Sequence, residues 1–174
     1  PDSNEVYFTL TNNSARTTAD AANPRVKNAY GHIIRWREER RDNSGVRFAW
    51  DLFLLAGPES DSRGPNGQAL GADNMLASPD GLWFDEDGRL WIQTDMSGSQ
   101  LAIGPFGNNQ MLVADPRTGE MKRFLVGPLG AEILGAVLEP TDDEREADQV
   151  GMNTLVAAGY PPQGLIEAFE TMRK

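Results

Sequence analysis

Short apolar and aromatic segments recur along the chain, separated by turns rich in glycine, proline, asparagine and aspartate. Segments of this kind are typical of β-strands, because β-branched and aromatic side chains pack well on a pleated surface. Strands are predicted at 5–11, 31–36, 46–55, 82–85, 89–94, 109–114, 120–126 and 131–138. Residues 161–174 instead have apolar residues at helical spacing and predict a short helix.

The middle of the chain predicts short strands that run up and down in succession between residues 82 and 126. A four-stranded meander repeated along a chain is the signature of a β-propeller. We therefore predict an all-β fold of propeller-like antiparallel meanders, about two to three blades of an incomplete propeller, with a short C-terminal helix. An open sheet or a sandwich is the alternative. The predicted domains are a partial propeller at 1–138 and an acidic loop with a helical tail at 139–174.

Several polar segments between the predicted strands are expected to be loops. Residues 14–29 form a long polar connection, and the charged residues 37–43 form an exposed hairpin loop. Residues 56–77 and 96–108 are rich in glycine and are also predicted as loops. A loop as long as 56–77 inside a compact domain is usually functional or mobile.

Composition narrows the classes of partner. The chain has 174 residues, a formal net charge of -10 and no cysteine. An acidic surface repels phosphates, so we expect neither a nucleic acid nor a membrane as a partner. The lack of cysteine excludes disulfides and thiolate metal sites, and no apolar run approaches the roughly 20 residues of a membrane span. Because the chain begins at Pro1 in the approach to a strand, we expect a fragment or a processed form.

Two carboxylates flank the predicted hairpin at 78–95. Asp80 precedes its first strand and Asp95 follows its second, so both are expected near the same end of the hairpin. Two oxygen ligands that converge there suit a hard cation such as calcium. The alternative is that Asp80 caps a turn and Asp95 solvates the end of a strand.

The single histidine and the tryptophans favour structural roles. His32 lies inside an apolar strand pattern, which is typical of a hydrogen-bonded structural histidine. The tryptophans are expected in the core or in packing between blades, and they are Trp36, Trp50, Trp83 and Trp91. Neither a Gly-x-Ser-x-Gly elbow nor a phosphate-binding Gly-x-x-x-x-Gly-Lys-Ser/Thr loop is present.

Several blocks together resemble the C-terminal part of PhoX-type alkaline phosphatases, in the family's order and over about residues 5 to 138. The blocks are VYFTLTNNS (6–14), AANPR (21–25), YGHIIRW (30–36), WDLFLLAG (50–57), SPDGLWFDEDGRLWIQTD (78–95), GNNQMLVADPRTGEMKRFLVGP (107–128) and GAE (130–132). The resemblance implies a β-propeller with a metal centre at the pore mouth, calcium and ferric iron as cofactors, and phosphate monoesters as substrates. It also implies export by the twin-arginine route, hence a periplasmic or secreted protein.

The resemblance also implies site residues. The acid of the family's Gly-x-Glu block falls on Glu132, the first candidate metal ligand. The further candidate metal ligands are Asp80, in its Pro-Asp-Gly turn, Asp95 and Asn12. Asn12 is included because calcium accepts amide as well as carboxylate oxygens. Independently of the resemblance, Arg16, Arg25 and Arg35 could each hold a phosphate through bidentate hydrogen bonds, and the alternative for each is a surface or strand-pairing role. Of these, Arg16 and Arg25 are retained as candidates.

The chain also departs from the family pattern. The family's iron site uses a cysteine from an upstream region, and this chain has none. After Leu138 the resemblance fades. The alternative function is therefore a non-catalytic calcium-binding or structural propeller fragment. Bare blade edges predict self-association through strand 5–11, or partial disorder of 56–77 and of residues after Leu138, unless the C-terminal helix covers an apolar face.

Overall fold

The computed structural model of the chain describes residues 4–39, 46–129 and 131–133. These residues build two antiparallel sheets. The first has three strands, which are adjacent in chain order: β1 (Glu5–Leu10), β2 (His32–Glu38) and β3 (Phe48–Leu55). All six residues of β1 pair with β2 in a continuous register, from Glu5 opposite Arg37 to Leu10 opposite His32.

The second sheet is the four-stranded meander that the sequence predicts. Its strands are β4 (Pro79–Phe84), β5 (Leu90–Thr94), β6 (Gln110–Ala114) and β7 (Met121–Val126). They pair in this order, each with the next along the chain. The prediction of an all-β fold made of propeller-like antiparallel meanders is confirmed.

Most strand bounds differ from the prediction by one to three residues, and two of these differences have a structural reason. β2 continues to Glu38, two residues into the predicted loop, because Arg37 and Glu38 still pair with β3. β4 begins at Pro79 rather than at Leu82. The register of β4 shifts between Pro79 and Leu82, so a bulge at Asp80 and Gly81 disguises the start of the strand.

The predicted loop 96–108 contains a helix, which corrects the prediction. This helix, α1, spans Gly98–Ile103, and Ser97 caps its N-terminus. The Ser97 side chain accepts a hydrogen bond from the backbone of Gln100, while the Gln100 side chain bonds back to the backbone of Ser97. The reciprocal bonds satisfy backbone N–H groups that a helix start leaves without partners, and this offsets the weak helix propensity of glycine and serine.

The segment 56–77 is more regular than the long loop that was predicted. A short 3₁₀ turn spans Glu59–Asp61, and antiparallel bridges join Leu55 to Arg63 and Gly57 to Leu76. Leu70 and Leu76 are buried in the main core. Apolar anchors and backbone pairing therefore hold the segment against the sheets.

The main core draws apolar side chains from strands of both sheets and from the segment 56–77. Its buried members are Ile33, Phe53, Leu54, Ala56, Leu70, Leu76, Leu90, Ile92, Leu112, Ala114 and Met121. Of the tryptophans, Trp91 is buried, as predicted, whereas Trp50 is 42% exposed on β3 and is not a core residue of the described part. Tyr7 of β1 packs edge-on against Phe84 of β4, so aromatic contacts also join the two sheets.

Several predictions fall on residues outside those described. Of the predicted strand 131–138, the structure describes residues 131–133, which are not in a strand. The rest of that strand, the acidic loop and the helix 161–174 lie outside the described residues. The proposed boundary between domains 1–138 and 139–174 therefore stays a prediction. Within the described part, no helix is long and apolar enough to cross a membrane.

Candidate functional site

Three of the candidate acids lie at or beyond strand ends that belong to the same end of the four-stranded sheet. The start of β4, the end of β5 and the end of β7 lie at this end, because the strands are antiparallel. Asp80 is the second residue of β4, Asp95 directly follows β5, and Glu132 follows β7 by six residues. All three are exposed, which leaves their side chains open to a ligand.

Asp80 joins this end of the sheet to the end of β1. The Thr9 hydroxyl donates to the backbone carbonyl of Asp80 at 3.0 Å. The Thr11 hydroxyl donates to Oδ1 of the Asp80 carboxylate at 3.4 Å. Asp80 therefore lies beside the Thr-Asn-Asn turn that carries the candidate ligand Asn12.

The buried residue Ser78 brings Asn12 and Asp95 together. Its backbone has a φ of 51°, in the left-handed region, and its N–H donates to the carbonyl of Tyr30 at 2.7 Å. Asp95 N–H donates to the carbonyl of Ser78 at 2.9 Å, and Asn12 Nδ2 donates to its hydroxyl at 3.3 Å. The side-chain nitrogen of Gln100 reaches the same hydroxyl at 2.7 Å. Asn12 and Asp95 are thus held around one buried serine.

Sequence reasoning missed Ser78 and Gln100 as organisers of this region. Gln100 also donates to the backbone carbonyl of Ala29 at 2.6 Å, so it joins α1 to the turn before β2. The local signal was present, since Ser97 and Gln100 have the Ser-x-x-Gln spacing of a capping box. The distant partners Ala29 and Ser78 have no comparable signal in the sequence.

A pocket of about 310 Å³ lies at the end of β1 and contains two of the candidates, Asn12 and Arg16. Asparagines dominate its polar lining, and they supply both donors and acceptors. Its lining residues are Leu10, Asn12, Asn13, Arg16, Asp20, Ala22, Asn23 and Asn28.

Arg16 enters the pocket beside an acid. Its guanidinium donates to the Asp20 carboxylate at 2.6 Å. The hydrogen bond from the backbone N–H of Asn23, together with the Arg16 guanidinium, holds the pKa of Asp20 below its ordinary value. Asp20 is therefore charged at neutral pH, and an anion that binds Arg16 must compete with it.

A buried network of polar side chains supports the wall of this pocket. Asn28 donates from Nδ2 to Asn23 Oδ1 at 3.0 Å and contacts Nδ1 of His32 at 3.0 Å. Nε2 of His32 lies 2.8 Å from the carbonyl of Ala22. This geometry requires the proton on Nε2, so that Nδ1 accepts from Asn28. His32 is a hydrogen-bonded structural histidine, as predicted from its place in an apolar strand.

Arg25 lies outside this pocket lining, and its guanidinium contacts the segment 56–61. It donates to the backbone carbonyls of Ala56 and Asp61, and its Nε lies 3.2 Å from the Asp61 carboxylate. It also lies 5.7 Å from the ring centre of Tyr30. Arg35 on β2 pairs with Asp51 on β3 through two hydrogen bonds. These contacts occupy both arginines in the scaffold.

The described residues supply oxygen donors but not a closed metal site. No group of three or more histidine, cysteine, aspartate or glutamate side chains within them is arranged to hold a metal ion. Asp80 lies in β4 and Glu132 follows β7, and these strands form the opposite edges of the sheet. Three strand spacings of about 4.8 Å separate the two edges. The donors around Ser78 suit calcium, which prefers oxygen ligands. They do not fit the iron centre that the resemblance implies, because that centre includes a cysteine ligand and this chain has no cysteine.

Comparisons with known proteins identify relatives. The family model described as alkaline phosphatase PhoX matches residues 1–145. Among solved structures, the chain is similar to Pseudomonas fluorescens PhoX in complex with vanadate, a transition state analogue, with 49% sequence identity and a TM-score of 0.66. The match covers 76% of this chain and 24% of that chain, so this chain spans about a quarter of the length of its relative. No curated protein matches the chain.

Proposed function

The chain belongs to the PhoX alkaline phosphatase family, and we propose that it forms part of a metal-dependent phosphatase that hydrolyses phosphate monoesters. The observation that carries this proposal is the 49% identity to a PhoX protein that binds vanadate, a transition state analogue. Because the match covers 24% of that relative, we assign this chain one part of the site.

Calcium is the proposed cofactor for which the described residues include candidate ligands. Asp80, Asp95 and the amide oxygen of Asn12 would contribute ligands, and Glu132 would contribute from the other edge of the sheet. Calcium usually takes 6–8 oxygen ligands, so further ligands must come from outside this set. Bound cations would neutralise phosphate oxygens and lower the pKa of a bound water. Iron is proposed from the family resemblance alone.

Arg16 and Asn12 are the proposed phosphate contacts. Both line the pocket beside Asp80, and a guanidinium together with an amide nitrogen offers donors to phosphate oxygens. The Asn28 and His32 network holds the pocket wall, which would keep those donors in place without reorganisation. Arg25 was the other candidate from the sequence, and its scaffold contacts make it the weaker choice of the two.

We also propose a periplasmic or secreted location, which rests on the family resemblance. Cell fractionation of the natural precursor, expressed in its host, would test it. Protein found only in the cytoplasmic fraction would contradict the proposal.

The decisive experiment is hydrolysis of a chromogenic phosphate monoester by the full chain, with and without added Ca²⁺ and Fe³⁺. We expect metal-dependent activity that a chelator abolishes and that Glu132→Gln lowers at least about tenfold. Glu120→Gln is the matched control, since Glu120 is also exposed but lies near the turn at the opposite end of β7. Calcium binding without hydrolysis at any metal concentration would favour the alternative, a non-catalytic calcium-binding or structural propeller fragment.

A further inference from the structure

We propose that Asn108 and Asn109 are positioning residues that fix the two backbone segments carrying Asp95 and Glu132. The inference deepens the proposed function and rests on it for its catalytic meaning. Both asparagines directly precede β6, which lies between β5 and β7 in the sheet. The two residues are 2% and 5% exposed, respectively, so they act from inside the protein.

Asn109 holds the chain on either side of Asp95. Its Oδ1 accepts a hydrogen bond from the hydroxyl of Thr94 at 3.2 Å. The same oxygen accepts from the backbone N–H of Met96 at 2.6 Å. One amide oxygen therefore restrains the residues immediately before and after Asp95, whose own side chain stays exposed.

Asn108 does the corresponding work for the segment before Glu132. Its Nδ2 donates to the backbone carbonyl of Pro128 and to that of Ala131, the latter at 3.0 Å. The Ala131 carbonyl belongs to the peptide that leads directly into Glu132. The N–H of Gly127 also donates to the backbone carbonyl of Asn109 at 2.7 Å, which fixes where this segment leaves β7.

The two asparagines therefore couple the positions of two acids that come from different strands. The side-chain oxygen of Asn109 accepts hydrogen bonds, whereas the side-chain nitrogen of Asn108 donates them. The two roles can therefore be changed separately by substitution. Because both segments bond to consecutive residues of one chain, movement of one segment must break a buried hydrogen bond. Preorganised ligands of this kind lower the cost of collecting them around a cation.

The test uses one chemical change that has opposite consequences at the two sites. Asn109→Asp keeps an oxygen acceptor for Met96 and Thr94, whereas Asn108→Asp replaces the donor to Pro128 and Ala131 with an acceptor. Asn109→Ala removes the acceptor. Native-state amide hydrogen exchange on the full chain reports the two segments, with Leu112 in the core as the reference for global opening. Calcium binding by calorimetry reports the site.

We expect Asn109→Ala to speed exchange at Met96 about tenfold relative to Leu112, and Asn109→Asp to restore most of the protection. Asn108→Asp should speed exchange at residues 131–133 to a similar degree. Calcium affinity should fall with Asn109→Ala and Asn108→Asp, and Asn109→Asp should recover it.

Unchanged local exchange in these variants would overturn the proposal. Faster local exchange with unaltered calcium affinity would also overturn it, since the bonds would then be structural without positioning the site. If the wild-type chain neither binds calcium nor hydrolyses phosphate esters, the proposed function fails. The exchange measurement then still decides whether the two asparagines hold these segments.

Discussion

The carboxylate of Asp85 accepts a hydrogen bond from the indole nitrogen of Trp91 at 3.0 Å, across the hairpin of β4 and β5. The same carboxylate accepts from the backbone and from the guanidinium of Arg89. Burial by itself would raise the pKa of Asp85, but the bonds from Trp91 and Arg89 outweigh it and the pKa is lowered. The turn of the hairpin is therefore held by the charged carboxylate of Asp85, which accepts hydrogen bonds on both of its oxygens.

Asp85→Ala is expected to lower the free energy of unfolding by about 2–3 kcal/mol, because it leaves the indole nitrogen without its charged acceptor. Since the folded-state pKa of Asp85 is lowered, its contribution is fully present above the unfolded pKa and is lost as the pH falls through the folded value. Urea denaturation at pH 7 and pH 3 measures both effects. A deficit in the variant that is as large at pH 3 as at pH 7 would contradict the charge argument.

Gly31→Ala is expected to destabilise the fold by roughly 3 kcal/mol or more. Gly31 has a φ of 78°, and a Cβ there would lie 2.0 Å from the carbonyl oxygen of Thr11. Gly88→Ala is the matched control, because Gly88 has a φ of 76° but a Cβ there would meet no described heavy atom within 4 Å. The control should cost only the left-handed conformation, about 1–2 kcal/mol. Equal losses in chemical denaturation would contradict the steric argument.

Stability should depend on pH through His32 in a window just below neutrality. Burial lowers the pKa of His32, and the nearby guanidinium groups of Arg25 and Arg16 act in the same direction. The neutral ring is therefore favoured in the folded state, so stability is complete above the unfolded pKa of about 6.5 and falls as the pH drops toward the folded value. The slope inside that window is about 1.4 kcal/mol per pH unit.

His32→Gln tests this window by urea denaturation between pH 7.5 and pH 5. Because His32 is the only histidine in the chain, the variant should lose the slope in this range while the carboxylates remain charged. A slope that persists in His32→Gln would assign the effect to another group.

Arg16→Met should weaken binding of inorganic phosphate and raise KM about tenfold or more, if the pocket beside Asp80 binds the phosphoryl group. Arg117→Met is the matched control. Arg117 also pairs with a nearby aspartate, Asp115, but on the turn at the opposite end of the sheet. Isothermal calorimetry with phosphate and steady-state kinetics measure the two effects. An equal change in both variants would indicate a general charge effect.

The chain expressed alone is expected to self-associate through apolar residues on bare strands. β1, the edge first suspected from the sequence, packs against β4 through Tyr7. More apolar surface lies on β3 and after β7, where Trp50 and Leu129 are 42% and 88% exposed. Light scattering should show association that Trp50→Lys and Leu129→Lys together reduce. A cooperatively melting wild-type monomer would contradict the prediction.

The strands were predictable because their signals are local. In segments such as 46–55 and 120–126, aromatic and branched residues lie between turns that contain glycine or proline. The start of β4 was not predictable at the same level, since Pro79 and Gly81 signal a turn and the bulge is visible only once β5 is paired. The helix α1 was missed because Gly98 and Ser99 lower helix propensity, and only the capping box argued for it.

The candidate site was predictable only in part. The approach of Asp80 and Asp95 to one end of the hairpin followed from strand order. The serine that gathers Asn12 and Asp95 did not, because Ser78 contacts Asn12 across 66 residues of sequence. Long-range hydrogen bonds of this kind depend on how the two sheets meet, and no periodicity in the sequence encodes that. The scaffold role of Arg25 was missed for the same reason.

Gln100 has a consequence for the order of folding. α1 has six residues, too few to persist in water without tertiary contacts, so its lifetime depends on what Gln100 reaches. Those partners, Ala29 and Ser78, belong to the connections that enter the two sheets. We therefore expect the helix to form late in folding, after the two sheets have met. Substitutions in its capping box should accelerate unfolding while leaving the refolding rate almost unaltered.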